Sequence, residues 1–180
     1  MFADVVRVKN AVRRSKTKSA VDAIKMLMNV LVERRRINNV GISMRVTESF
    51  FGEKMPNNKV LIVDDDKEFL EELDETLRLA GYDTVAVSDV DGIVNTATAV
   101  KPDVVLLDLK MPKKTGFQVA FELRLSHDSD LSFVPIIIMT GAFKDDFSPL
   151  MNICNIKRCI NKPFNPLDIV AEIETVLAEK

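Results

Sequence analysis

The chain has 180 residues, of which 47% are hydrophobic and 29% charged, with a net charge of −2. This composition excludes disordered, collagen-like and membrane-embedded classes, and no apolar run approaches the ~18–20 residues that span a bilayer. The balance is uneven along the chain: residues 1–59 carry 13 Lys/Arg against 5 Asp/Glu, and residues 60–180 carry 12 against 22.

Two regions with different roles are therefore expected, a basic extension over 1–57 and a main domain over 58–180. In the opening stretch MFADVVRVKNAVRRSK, charged residues interrupt each apolar run, so no secretory signal is expected and the cytoplasm is the expected compartment. The segment SAVDAIKMLMNVLVERRR reads as a helix. Ser19 and Asp22 resemble a capping box, and Val21, Ile24, Met28 and Leu31 form an apolar stripe. VGISMRV alternates strictly and reads as a strand, with SFFGEKMPNN as the linker. The stripe is expected to pack on the main domain or on a second copy, which would make a homodimer. Docking of another partner, or of nucleic acid through the basic balance, is the lesser reading, because no convincing helix-turn-helix is present. Nucleic acid is thus not an expected partner, nor is a membrane.

From residue 60 the pattern alternates. VLIV (60–63) reads as a buried strand. KEFLEELDETLRLAG follows as a helix with Phe69, Leu70, Leu73 and Leu77 on one face and Gly81 as its stop. DTVAVS is a short second strand, and VDGIVNTATAV a weak helix ended by KPD. VVLLDL (104–109) is a third strand. TGFQVAFELRLS is a helix whose stripe is read as Phe117, Phe121 and Leu125. His127, in SHDSDLS, reads as a surface-loop residue. VPIIIMT (134–140) is a fourth strand. DDFSPLMNI is a poor helix, in which Pro149 sits in the first turn or breaks it. KRCIN is a weak fifth strand. NPLDIVAEIETVLAEK is the last helix, capped by Asn165 and opened by Pro166, with Leu167, Val170, Ile173 and Leu177 on one face. The chain ends there, so no C-terminal output domain is expected. Cys154 and Cys159 have no metal or redox spacing and read as buried thiols.

Five strands alternating with helices imply an α/β fold, a doubly wound parallel sheet covered on both faces. Ligands bind such sheets beyond the carboxyl ends of the strands. Asp64, Asp65, Asp108, Thr140 and Lys162 all fall at those ends. If the first and third strands are neighbours, three carboxylates converge. Two such charges ~4 Å apart repel by about 4 kcal/mol at an effective dielectric of ~20, so the site needs a cation. Carboxylate oxygens suit Mg²⁺, which also binds phosphate oxygens. An Asp carboxylate is a competent nucleophile toward phosphorus, with Lys162 as a point charge and Thr140 as a hydroxyl donor.

In this order VLIVDDD, VVLLDLKMPKKTG, PIIIMTGA and NKPF resemble the receiver domain of two-component response regulators. The set spans about residues 58–180, with 43 positions from Asp65 to Asp108 and 22 from Thr140 to Lys162. The resemblance implies a flavodoxin-like sheet of order 2-1-3-4-5 and a phosphorylation-operated switch. Asp108 would accept a phosphoryl group from a sensor histidine kinase or a histidine phosphotransfer protein. Asp64, Asp65 and Asp108 would hold Mg²⁺ with the backbone carbonyl of Lys110. Thr140 would bind the phosphoryl group and Lys162 would pair with it, before a cis bond to Pro163. Asp66 reads as a first-turn residue favoured by the helix dipole. No enzyme activity on other substrates is expected, only phosphoryl transfer to the chain itself and self-dephosphorylation.

Two positions depart from or extend the pattern. The family usually has Tyr or Phe three residues before the lysine, where this chain has Cys159. The usual aromatic switch is therefore not expected in its ordinary form. Lys110, two residues after Asp108, is read either as a modulator of acyl-phosphate hydrolysis or as a solvated charge. Three other functions compete with this reading. A haloacid-dehalogenase-type phosphatase places its nucleophile on the first strand and its acidic pair late, the reverse of the order here. A DNA-binding regulator using the basic extension is the alternative to a switch without an appended output enzyme. A receiver that folds but is never phosphorylated is weaker still, since the acidic set is intact.

Overall fold

The computed structural model describes residues 58–141, 147–156 and 158–179. The expected N-terminal helix, strand and linker lie outside these residues. Five strands, β1 (Lys59–Val63), β2 (Asp83–Val87), β3 (Val104–Asp108), β4 (Ile136–Thr140) and β5 (Arg158–Asn161), form one sheet of order β2-β1-β3-β4-β5. All four pairings are parallel. The helices are α1 (Lys67–Leu79), α2 (Ile93–Val100), α3 (Gly116–Arg124), the short α4 (Ser129–Ser132), α5 (Ser148–Ile153) and α6 (Pro166–Ala178). This is the doubly wound architecture expected from the strand–helix alternation.

The two faces of the sheet bury different sets of side chains, because successive strand residues point to opposite sides. Val60, Ile62, Val104, Leu106, Ile137 and Met139 pack with Leu70, Leu73 and Leu77 of α1 and Ile169, Val170 and Ile173 of α6. Leu61, Val63, Val105, Leu107, Ile136 and Ile138 pack with residues of α2 and α3, together with Cys154 and Ile156. Fully burying a Leu or Ile contributes about 1.5–3 kcal/mol, so these two layers drive folding. Apart from Lys59 at the start of β1 and Asp108 at the end of β3, these two strands are wholly apolar because helices cover both of their faces.

Local signals explain most boundaries. Gly81, at φ 92, follows the end of α1 in the left-handed conformation that glycine adopts without a Cβ penalty. Pro149 falls in the first turn of α5, where its missing N–H costs nothing. Pro166 opens α6, and the Asp168 N–H donates to the Asn165 carbonyl at 2.8 Å. His127 is exposed on a bend. Cys154 is buried, as expected, whereas Cys159 is only half-buried.

The stripe expected on α3 is corrected by the fold. Phe117 is buried, but Phe121 is 47% and Leu125 65% exposed. The buried face of α3 is Phe117, Val119, Ala120 and Leu123. A spacing of four drifts around a helix of 3.6 residues per turn, so the run Phe117, Phe121, Leu125 leaves the core after its first member. A smaller shift occurs on α6, where Val176 is buried and Leu177 only partly so.

Candidate phosphoryl-acceptor site

The carboxyl ends of β1, β3 and β4 bring the expected residues together. Asp64 leaves the end of β1, Asp108 ends β3 and Thr140 ends β4. β1 and β3 pair directly, with Val63 opposite Leu107. Asp64, Asp65 and Asp108 each offer a carboxylate oxygen, and these atoms lie within 4.8 Å of one another. Asp64 and Asp108 are buried, while Asp65 is exposed. Three hard oxygen donors this close fit a hard divalent cation bound partly by water.

Lys162 is the counter-charge. Its Nζ donates to Asp64 Oδ2 and, at 2.7 Å, to Asp108 Oδ1. Lys162 directly follows β5, and its own N–H anchors it there by donating to the Thr140 carbonyl at 2.7 Å. The other Asp108 oxygen, Oδ2, accepts from the Lys110 N–H at 2.6 Å. Both oxygens of Asp108 are therefore engaged by donors. Lys110 itself is exposed, and its amide, rather than its ammonium, meets the carboxylate. Thr140 is 1% exposed, buried beside the cluster at the end of β4.

Electrostatics follow from burial and pairing. Burial pushes the Asp64 carboxyl above its ordinary range, against the lowering effect of Lys162 and of the Asp66 N–H. Burial alone would lower Lys162, but its bonds to Asp108 and Asp64 outweigh it and hold the ammonium above its ordinary value. The site thus holds a fixed positive charge against a carboxylate at the strand end, where an incoming anion can be met.

Asp66 has a more definite role than the first-turn residue expected from the sequence. It is the N-cap of α1, its Oδ1 accepting from the Glu68 and Phe69 N–H groups at 3.1 Å each. Its own N–H donates to Asp64 Oδ1 at 3.1 Å. The three consecutive aspartates therefore divide their work: Asp64 and Asp65 face the cluster, and Asp66 starts the helix. The Lys162–Pro163 bond is cis, as the resemblance implied. Cys159 lies opposite Ile138 on β4 and packs toward the layer that contains α2 and α3.

Sequence reasoning missed three participants. Phe69 reads from the sequence only as a core residue, yet the Lys162 ammonium lies 4.3 Å from its ring centroid. Gly116 approaches the Asp108 backbone more closely than any side chain would allow. Lys113, on the loop after β3, pairs with Asp89 and Asp91 after β2 and ties two rim loops together. A lysine in KMPKKTG and two aspartates in SDVDG carry no sequence signal of mutual contact.

Residues 60–174 match the family model described as the response regulator receiver domain. The chain is 31% identical over 122 residues to the alkaline phosphatase synthesis transcriptional regulatory protein PhoP of Bacillus subtilis, covering 67% of this chain and 49% of that one. It is 33% identical over 120 residues to the DNA-binding response regulator MtrA of Mycobacterium tuberculosis, covering 66% of this chain and 50% of that one. The chain thus spans about half the length of the curated relatives it matches. The chemotaxis protein CheY4 of Vibrio cholerae superposes with a TM-score of 0.62 at 28% identity, covering 66% of this chain and 98% of that one. The expectation that nucleic acid is not a partner gains no support from these relatives, one of which is named for binding DNA. Among the described residues, no helix is long and apolar enough to cross a membrane.

Proposed function

Because the chain belongs to the response regulator receiver domain family over residues 60–174, we propose that it is a cytoplasmic signalling switch in which Asp108 accepts a phosphoryl group from a sensor histidine kinase or histidine phosphotransfer protein. What supports this reading is the convergence of three carboxylates, within 4.8 Å of one another, two of which, Asp64 and Asp108, are already bonded to Lys162.

The donor presents phosphohistidine. An Asp108 carboxylate oxygen forms the new O–P bond as the N–P bond breaks, and the electron pair leaves with the imidazole nitrogen. Asp64, Asp65 and Asp108, with the Lys110 carbonyl, would hold Mg²⁺, which when bound offsets the negative charge of the phosphoryl oxygens. Lys162 moves from its carboxylate partners onto a phosphoryl oxygen. The Thr140 hydroxyl donates to another. Because most of the catalysis is positioning and electrostatics, a half-buried, pre-paired lysine suits the task.

A shift from 1:99 to 99:1 requires about 5.5 kcal/mol of differential stabilisation. Charge-assisted hydrogen bonds of ~1.5–3 kcal/mol each, from Lys162, Thr140 and backbone amides, supply that amount. Beyond accepting and hydrolysing its own phosphoryl group, the chain acts on no substrate. Incubation with acetyl phosphate and Mg²⁺ is expected to label wild-type protein and not Asp108→Ala; an unlabelled wild type would overturn the reading.

A second reading concerns output. The charge asymmetry, and the DNA-binding name of a relative, favour a regulator that contacts DNA through residues 1–57 under receiver control. It predicts a salt-dependent shift of duplex DNA by the full chain that changes with beryllofluoride. No binding at low salt would remove it.

A further inference from the structure

Lys162 is held by more than its carboxylates. Its ammonium lies 4.3 Å from the centroid of the Phe69 ring. That ring meets Phe164 edge-on, with centroids 5.7 Å apart and planes at 83°. An ammonium has three donors, and Asp64 and Asp108 each take one. The negative face of the ring attracts the charge on a side that water would otherwise occupy.

The ring is also placed by the site itself. Asp66 Oδ1 accepts from the Phe69 N–H at 3.1 Å, and the Asp66 N–H donates to Asp64 Oδ1 at 3.1 Å. One short segment therefore runs from a carboxylate of the cluster, through the helix cap, to the aromatic face. Phe164 stands two residues beyond Lys162, so its ring buttresses Phe69 from the lysine's own loop.

We propose that Phe69 is a positioning residue of the phosphoryl-acceptor site, its ring holding the Lys162 ammonium against Asp108 so that the charge is in place before phosphorus arrives. The inference rests on the reading of Asp108 as phosphoacceptor. Lysine has a flexible stem, and restricting it in advance lowers the cost of ordering it in the transition state. Leucine at position 69 would fill similar space and supply no quadrupole.

The test uses the full chain, acetyl phosphate and Mg²⁺, with the rate of labelling as readout and Mg²⁺ affinity by calorimetry as a control. Three variants are compared: Phe69→Leu, Phe69→Tyr, and Phe69 replaced by 3,4,5-trifluorophenylalanine, which keeps the ring's shape and removes its negative face. The leucine and trifluoro variants are expected to label more slowly, on the order of threefold to thirtyfold. Tyrosine is expected to keep most of the rate, and all three to keep the wild-type Mg²⁺ affinity. A trifluoro variant that labels at the wild-type rate overturns the inference, even if leucine fails to fold. So does a tyrosine variant as slow as leucine. If wild-type protein is not labelled at all, the phosphoacceptor reading falls first and the inference with it.

Discussion

Gly116 of α3 sits against the backbone of Asp108 so closely that an added methyl carbon would stand 2.4 Å from the Asp108 carbonyl oxygen. The same carbon would lie 3.1 Å from Leu109 Cα, and the Gly116 N–H donates to the Leu109 carbonyl at 3.0 Å. The loop after β3 therefore folds back until the first residue of the next helix touches the strand end that carries the proposed phosphoacceptor. Thr115 fixes that return with a capping box: its Oγ1 accepts from the Gln118 N–H, and its N–H donates to Gln118 Oε1.

Gly116→Ala is expected to destabilise the chain by about 1–3 kcal/mol, the range for forcing an extra methylene into a packed region. The atom in the way is backbone and cannot rotate aside. Because the backbone that must yield is that of Asp108, labelling by acetyl phosphate is also expected to slow. Urea denaturation measures the first effect; a wild-type midpoint would show that the loop absorbs the methyl without cost.

Much of the site was legible because strand ends are legible. Apolar runs that break into Asp, Thr or Lys mark where a buried strand leaves the sheet, and parallel strands put all such ends on one side. Asp64, Asp108, Thr140 and Lys162 could be placed from that alone. Asp66 is a local N-cap, which an Asp just before an apolar-periodic run could have signalled. The Phe69 ring contact, by contrast, depends on where Lys162 lies beyond β5, which no local pattern shows. Gly116 stood in the quoted KMPKKTG without its reason, because a close approach between backbones leaves no side-chain pattern.

The misread face of α3 gives a comparison of two neighbours. Phe121 is 47% exposed, whereas Leu123 is fully buried. Leu123→Ala is expected to cost about 2–5 kcal/mol, as a buried leucine truncation does. Phe121→Gln is expected to cost less than about 1 kcal/mol, since most of its ring area that meets solvent gains nothing from being apolar. Equal losses in urea denaturation would restore the stripe that spacing alone suggested.

Burial of the Asp64 charge is expected to cost stability that a bound cation would return. Burial disfavours its ionised form, and the Asp108 charge adds to this. Asp64→Asn keeps an acceptor for the Asp66 N–H, removes the buried charge, and leaves Lys162 its bond to Asp108. In EDTA the variant is therefore expected to be more stable than wild type by on the order of 1 kcal/mol. With excess Mg²⁺ the order is expected to reverse, because a ligand that binds only the folded state stabilises it by RT ln(1 + c/Kd), with c the free ligand concentration, which keeps growing as c rises above Kd. Melting curves in the two buffers check this, and a variant that gains as much from Mg²⁺ as wild type would show that Asp64 is not a ligand.

Alkaline pH is expected to weaken the fold through two groups far from the cluster. Burial pushes the Cys154 thiol above its ordinary value, and burial, with the Glu174 charge behind it, pushes the Tyr82 hydroxyl up as well. For both, the folded state favours the neutral form. Their contribution is fully present below the ordinary values of 9.0 and 10.0 and is lost as pH rises toward the raised folded values. Lys162, also raised, acts in the same direction at higher pH. Stability from urea unfolding should therefore be insensitive to these groups through neutral pH and fall above about pH 9, by up to about 1.4 kcal/mol per pH unit for each group that has ionised only in the unfolded chain. Tyr82→Phe removes one of them without removing the ring that packs beside α1, so its decline above pH 10 should be shallower than that of wild type. Parallel curves for the two proteins would mean that the hydroxyl ionises as readily in the folded chain as in the unfolded one, which its burial at 8% exposure opposes.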